Sequence, residues 1–391
     1  MKHVLFVVLP ERGHIHPFLG AAEAMRDRGA HVSFYAPCDI TAILGPLGWD
    51  DVHAPEGAGP PRPEHRGQAF AELLADAARL RAWIRAMLVD ATEPAIAPLR
   101  AHLSLVRPDV LVIDPMAYFA AIAAHAEGLP WFGLSTSLNP CIRDDVESEL
   151  IATLRALDDA RRGLLRAHGV DPRFRVSDLL SPRGTFVLST SALVGHDLPD
   201  DGVPVHLVGS SLPARRCLPP NDDVRPLVYV SFGSQAYHQP EQLRVLFEAA
   251  RNVDARFVVA MGELASSALA ASAPANVAPV AFAPQVELLA SARVAVTHGG
   301  ANSVHEALAH AVPLLVSPIC NDQHHNAALV AARGAGRVID LARATPDVIA
   351  ASLRALLAEG APERRVAAAI ACSYRAAGGA SRIADVVVGT P

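Results

Sequence analysis

Short, almost uninterrupted apolar runs recur along the chain. They are residues 3–9 (HVLFVVL), His31–Tyr35 (HVSFY), residues 109–113 (DVLVI), residues 227–232 (LVYVSF) and residues 293–297 (RVAVT). Runs of this length, rich in β-branched residues and lacking polar alternation, are what strands look like when helices cover both faces of a parallel sheet. Between the first two, Phe18, Ala21, Ala22 and Met25 recur at helical spacing. Pro17 stands where a first helical residue is expected, and Gly29 closes the segment. The pattern predicts a βαβ unit whose loop, residues 10–16 (PERGHIH), lies at the carboxyl edge of the sheet, the side on which open α/β sheets collect ligands. Asp114 ends a later strand of the same half, just before a helical stretch, where it is either a helix cap or a crevice residue.

The second half repeats the scheme. Residues 227–232 run into Gly233-Ser234, and a helix is expected near Pro240. Residues 293–297 run into His298-Gly299-Gly300, after which Val304, Ala307, Leu308 and Ala311 trace one apolar stripe while Asn302 and Glu306 share another face. Asn302 or Ser303 would cap this helix. A helix N-terminus carries unpaired N–H groups and about half a positive charge, so a diphosphate could dock there without a lysine; an ordinary Gly-Gly turn gives the same local pattern. The expected organisation is a lobe over residues 1–211 and a linker over 212–226, which holds four prolines. A second lobe follows over 227–371, with a final helix over 372–391 that can cross back to the first.

Composition narrows the function. With 391 residues, 51% hydrophobic and 19% charged, the chain is a globular protein of two or three domains. A net charge of −6 without arginine runs argues against nucleic acid as a partner. Lys2 is the only lysine, which removes P-loop phosphate binding and pyridoxal phosphate Schiff bases. Cys38, Cys141, Cys217, Cys320 and Cys372 are scattered without zinc-like spacing, and no Gly-x-Ser-x-Gly elbow occurs. No metal ligand set or cofactor motif is evident. No apolar stretch is long enough for a membrane span, and the opening run is not a signal peptide, so a cytoplasmic enzyme is expected.

Residues 282–326 (FAPQVELLASARVAVTHGGANSVHEALAHAVPLLVSPICNDQHHN) resemble, in order and spacing over about 45 residues, the donor signature of the nucleotide-sugar-dependent glycosyltransferases. That family holds the plant secondary-metabolite glucosyltransferases and the bacterial macrolide glycosyltransferases. The resemblance implies that Phe282 stacks on the base, Gln285 meets the nucleoside and Glu306 binds the ribose. It gives the diphosphate to His298, Gly300, Asn302, Ser303 and Ser234, and the sugar hydroxyls to Asp322 and Gln323. Residues 13–17 (GHIHP) resemble the family's N-terminal motif, in which the histidine after the glycine is the general base. That assigns the role to His14, with Gly13 beside the donor, His16 as the alternative base and Asp114 as the partner carboxylate. The plant enzymes carry tryptophan where this chain has Phe282 and Ala301, which leaves a smaller base stack and one open wall in the sugar pocket.

The resemblance also implies an α/β protein of the GT-B fold: two Rossmann-like doubly wound parallel-sheet domains facing across a cleft. The implied reaction is inverting, metal-free transfer of a hexose to a hydroxyl of a small lipophilic acceptor. UDP-glucose is favoured by the Asp322–Gln323 pair, with a dTDP-sugar as the other donor. Residues 51–68 and 139–180 are expected to shape the acceptor site; Trp83, Met87, Met116, Tyr118 and Phe119 are candidates for an apolar pocket there, with the Trp83–Met87 helix stripe also readable as core. A sugar-nucleotide epimerase or a non-catalytic sugar-nucleotide-binding partner can use the same fold, and a monomer or homodimer suits either.

Overall fold

The computed structural model describes residues 1–61, 66–213 and 223–389. Within them the first lobe is built on β1 (His3–Val7), β2 (His31–Tyr35), β3 (Val52–His53), β4 (Val110–Ile113) and β5 (Trp131–Ser135). A small antiparallel pair, β6 (Phe174–Arg175) and β7 (Asp178–Leu179), precedes β8 (Thr185–Val187) and β9 (Val205–Leu207). The seven strands of the main sheet are all parallel and stand in the order β3-β2-β1-β4-β5-β8-β9. The second lobe carries six parallel strands, β10 (Leu227–Ser231), β11 (Arg256–Ala260), β12 (Val277–Val280), β13 (Ala292–Thr297), β14 (Leu314–Val316) and β15 (Gly336–Val338). Their order is β12-β11-β10-β13-β14-β15.

Both sheets reverse their direction of growth beside the first strand, between β1 and β4 and between β10 and β13. This is the switch point at which the loops leaving adjacent strands diverge and open a crevice. Val4 to Val7 are fully buried because each face of the sheet is covered. Phe6, Phe18, Met25 and Phe34 pack on one side, and Leu5, Leu99, Leu111 and Ile122 on the other.

Helix Pro362–Ala377 packs on the second lobe through Ala367, Ile370 and Tyr374. The chain then turns at Gly378, and helix Gly379–Val388 lies on helix Arg12–Asp27 of the first lobe. Ile383, Ala384 and Val387 enter the first lobe's core there. Arg28 pairs with Asp385 at 2.8 Å, and the Lys2 ammonium donates to the Val387 carbonyl at 2.6 Å. Of the expected linker, residues 214–222 with Cys217 lie outside the described residues, as do residues 62–65 of the first acceptor-shaping segment.

Three local expectations are corrected. The stretch 10–16 is not all loop: the helix starts at Arg12 with Glu11 at its N-cap, and Pro17 lies inside it. Neither Asn302 nor Ser303 caps helix Ala301–Ala309; Gly300 is the N-cap, without a side-chain bond, and both polar residues fall in the first turn. That helix stops at Ala309, and Ala311 stands beyond it in a left-handed conformation (φ 58). Among the described residues no helix is long and apolar enough to cross a membrane.

Candidate active site

The loops at the two switch points face each other across a cleft of about 2020 Å³. Ligand pockets usually measure roughly 300–1,000 Å³, so there is room for two substrates. From the first lobe, β1 delivers His14 and the adjacent β4 delivers Asp114. His14 Nδ1 lies 2.6 Å from Asp114 Oδ2; the Asp114 side chain is 1% exposed and that of His14 22%. The carboxylate therefore holds the proton on Nδ1 and leaves Nε2 as the basic nitrogen. The other oxygen, Oδ1, accepts the Met116 backbone N–H at 2.9 Å, so Asp114 serves the turn before helix Tyr118–Ala126 and the imidazole at once. Burial by itself would push the imidazole down. The Asp114 charge and hydrogen bond, helped by Glu11 and Asp178, outweigh it and raise His14 to about 9. His16 has no such partner: burial and the neighbouring Arg12 push it down to about 4.

The second lobe contributes polar groups from the ends of β10 and β13. His298 is 9% exposed, and burial pushes it down to about 4, so it faces the cleft as a neutral imidazole and not as a cation. Its ring occupies the space that side chains at positions 233 and 300 would need: a Cβ would sit 2.7 Å from it at Gly233 and 2.6 Å at Gly300. Gly233 is further required by its positive φ of 80. Small residues at both positions leave room for the histidine ring. With no side-chain cap, the first N–H groups of helix Ala301–Ala309 are left unpaired by side chains where Gly300, Ala301, Asn302 and Ser303 line the cleft.

Gln285, Ser303 and Glu306 form one network. Gln285 Nε2 donates to Glu306 at 2.6 Å and lies 3.5 Å from Ser303 Oγ, while Tyr229 OH donates to Gln285 Oε1 at 3.1 Å. Burial raises the Glu306 carboxyl to about 7 against the opposing pull of the Gln285 bond. Phe282 is 65% exposed at the cleft wall, with the Arg12 guanidinium of the first lobe 5.2 Å from its ring centre. Ser234 lines the cleft, as does Asp322, whose carboxyl is raised by burial and whose Oδ2 accepts from Asn326 at 2.9 Å. Gln323 lines the cleft too, while its Oε1 accepts the backbone N–H groups of Ile319 and Cys320 at 2.9 and 3.0 Å. Its acceptor capacity is spent within its own loop, so the paired carboxylate and amide read from the sequence are not equivalent in space. Asn302 reaches the other lobe and donates to the Gly13 carbonyl at 2.6 Å.

The acceptor side is mixed. Trp83 and Met87 pack against the first lobe's core and also line the cleft, as do Met116 and Phe119. Tyr118 does not: it is fully buried and donates to the Ser177 carbonyl at 2.6 Å. Sequence reasoning missed Thr136, whose hydroxyl lies 3.1 Å from His14 Nδ1, and Asp178, a carboxylate 1% exposed behind the dyad. Asp178 accepts from Ser135 at 2.5 Å and from Asn139 at 2.8 Å; burial raises it to about 6. Only the position of both residues at strand ends could have marked them.

Residues 223–364 match the family model described as UDP-glucoronosyl and UDP-glucosyl transferase. The demethyllactenocin mycarosyltransferase of Streptomyces fradiae is 25% identical over 346 residues, 81% of this chain and 71% of its own length. The zeaxanthin glucosyltransferase of Pantoea ananas is 25% identical over 433 residues, 99% of this chain and 95% of its own. The crystal structure of the glycotransferase of kitacinnamycin superimposes with a TM-score of 0.72 at 26% identity, covering 99% of this chain and 98% of that one. The two facing parallel-sheet lobes, the donor-half family match and relatives spanning nearly the whole chain lead to one conclusion: this chain has the GT-B fold and is similar, over its second lobe, to the family of UDP-glucoronosyl and UDP-glucosyl transferases.

Proposed function

We propose that the protein moves a hexose from a nucleotide diphosphate sugar to a hydroxyl of a small lipophilic natural product, with inversion at the anomeric carbon. The observation that carries this reading is the His14–Asp114 pair, 2.6 Å apart, on the cleft wall opposite an uncapped helix N-terminus. His14 Nε2 takes the proton of the acceptor hydroxyl as its oxygen bonds to the anomeric carbon. The bond to the diphosphate breaks, and the electron pair leaves with the nucleotide. Asp114 orients the imidazole and stabilises its protonated form. The leaving diphosphate is met by the N–H groups of helix Ala301–Ala309, by Ser234 and Ser303, and by a hydrogen bond from neutral His298, with no metal in the scheme. Phe282, Gln285 and Glu306 hold the nucleoside, and Asp322 holds the sugar.

Support for the acceptor class comes from relatives named for demethyllactenocin and zeaxanthin, and from the apolar side chains at Trp83, Met87, Met116 and Phe119. The relatives named for mycarosyl and glucosyl transfer make UDP-glucose and dTDP-sugars the two donor classes to test. The test is mass spectrometry of an acceptor library incubated with each donor, scored for acceptor-dependent nucleotide release. His14→Ala is expected to lower turnover by about 10²- to 10⁴-fold with donor affinity nearly unchanged. Nucleotide release with no glycosylated acceptor, or collapse of donor affinity in His14→Ala, would overturn the proposal.

A further inference from the structure

The helix that carries His14 contains a proline where one is costly. Pro17 is the sixth residue of Arg12–Asp27, past the first turn in which proline is tolerated. In a helix each N–H bonds the carbonyl four residues earlier, and proline has no N–H to give. The carbonyl deprived in this way is that of Gly13, the residue next to His14. It is also the carbonyl that accepts the Asn302 amide from the other lobe at 2.6 Å. Asn302 stands in the first turn of helix Ala301–Ala309, and its second N–H and its oxygen remain for a ligand in the cleft it lines.

We infer that Pro17 is a positioning residue for the transfer reaction: by withholding the helix's own donor it reserves the Gly13 carbonyl for Asn302, and this interlobe bond sets His14 in register with the donor-bearing helix. The inference rests on the reading of His14 as the base. It gives a physical reason for a proline three residues after that histidine. An alanine at the same place would supply an N–H to the second lone pair of that oxygen and draw the carbonyl back toward the helix axis, weakening the Asn302 bond and loosening a fixed point beside the reacting groups.

The experiment compares Pro17→Ala, Asn302→Ala and the double variant by turnover, by UDP and dTDP affinity from calorimetry, and by melting temperature. Pro17→Ala is expected to lower kcat about five- to tenfold, the effect of one hydrogen bond, with nucleotide affinity within about twofold. Its melting temperature should be unchanged or higher, because alanine completes the helix; a merely structural role would lower it. In the Asn302→Ala background the same change should alter kcat by less than about twofold. A crystal structure of Pro17→Ala with UDP should show residue 17 bonded to the Gly13 carbonyl and Asn302 turned away. An equal loss of kcat in both backgrounds, no loss at all, or an intact Gly13–Asn302 bond in that structure would overturn the inference. Full activity in His14→Ala would instead overturn the underlying reading and leave the interlobe bond in place.

Discussion

Asp114→Asn isolates the chemistry of the dyad with little change in shape. Asp114 spends one oxygen on the Met116 N–H at 2.9 Å and the other on His14 Nδ1 at 2.6 Å. An amide has only one oxygen. Turned toward His14, it would leave its NH2 against the Met116 N–H, two donors opposed in a site 1% exposed. Turned toward Met116, it presents NH2 to Nδ1, which must then become the acceptor and move the imidazole proton to Nε2. The second arrangement satisfies every group and disables the nitrogen that takes the acceptor's proton. The loss should therefore be close to that of the base itself, about 10²- to 10⁴-fold in kcat/KM. The pH profile adds a signature. With His14 at about 9, the free base is about one part in a hundred at pH 7, and wild-type kcat/KM should climb about tenfold per pH unit until it levels near pH 9. In Asp114→Asn the carboxylate that outweighs burial is gone, so the limb should move below the ordinary histidine value of about 6.5. Rates measured from pH 6 to 10 with the best acceptor decide the matter. A variant that keeps half of wild-type kcat/KM, or whose acid limb stays near pH 9, would refute the argument.

Other perturbations test neighbouring parts of the site. Asp178→Asn removes a buried negative charge that helps raise His14, so the acid limb of the pH–rate profile should shift toward lower pH by less than in Asp114→Asn; an unmoved limb would exclude electrostatic coupling. Glu306, raised to about 7 by burial, becomes a carboxylate as pH rises through neutrality. Calorimetric UDP affinity should then strengthen between about pH 6 and 8 in wild type, and this dependence should vanish in Glu306→Gln. Gly300→Ala places a Cβ 2.6 Å from the His298 ring, without backbone strain, and should cost about 1–3 kcal/mol of stability and weaken nucleotide binding. A melting curve and nucleotide affinity equal to wild type would show that the ring moves freely.

The apolar runs that became β1, β2, β4, β10 and β13 were legible in the sequence because strands covered on both faces need no alternation, and the surrounding glycines and polar residues marked their carboxyl ends. That was enough to bring residues 14, 234, 298, 300–303 and 306 to the cleft, with Asp114 buried behind His14. Where the helices begin was less legible. Pro17 reads locally as a helix start, and only the three-dimensional chain shows the helix already running from Arg12. The direction of the side chains was not legible at all. That Asn302 crosses to Gly13, and that Thr136 and Asp178 stand by the dyad depend on partners brought close by the sheet order and by the facing of the lobes. Periodicity and turn chemistry act over a few residues and so determine the strands and their ends. Hydrogen-bond partners more than a hundred residues apart are chosen by packing, and for the groups around His14 that choice belongs to the tertiary structure alone.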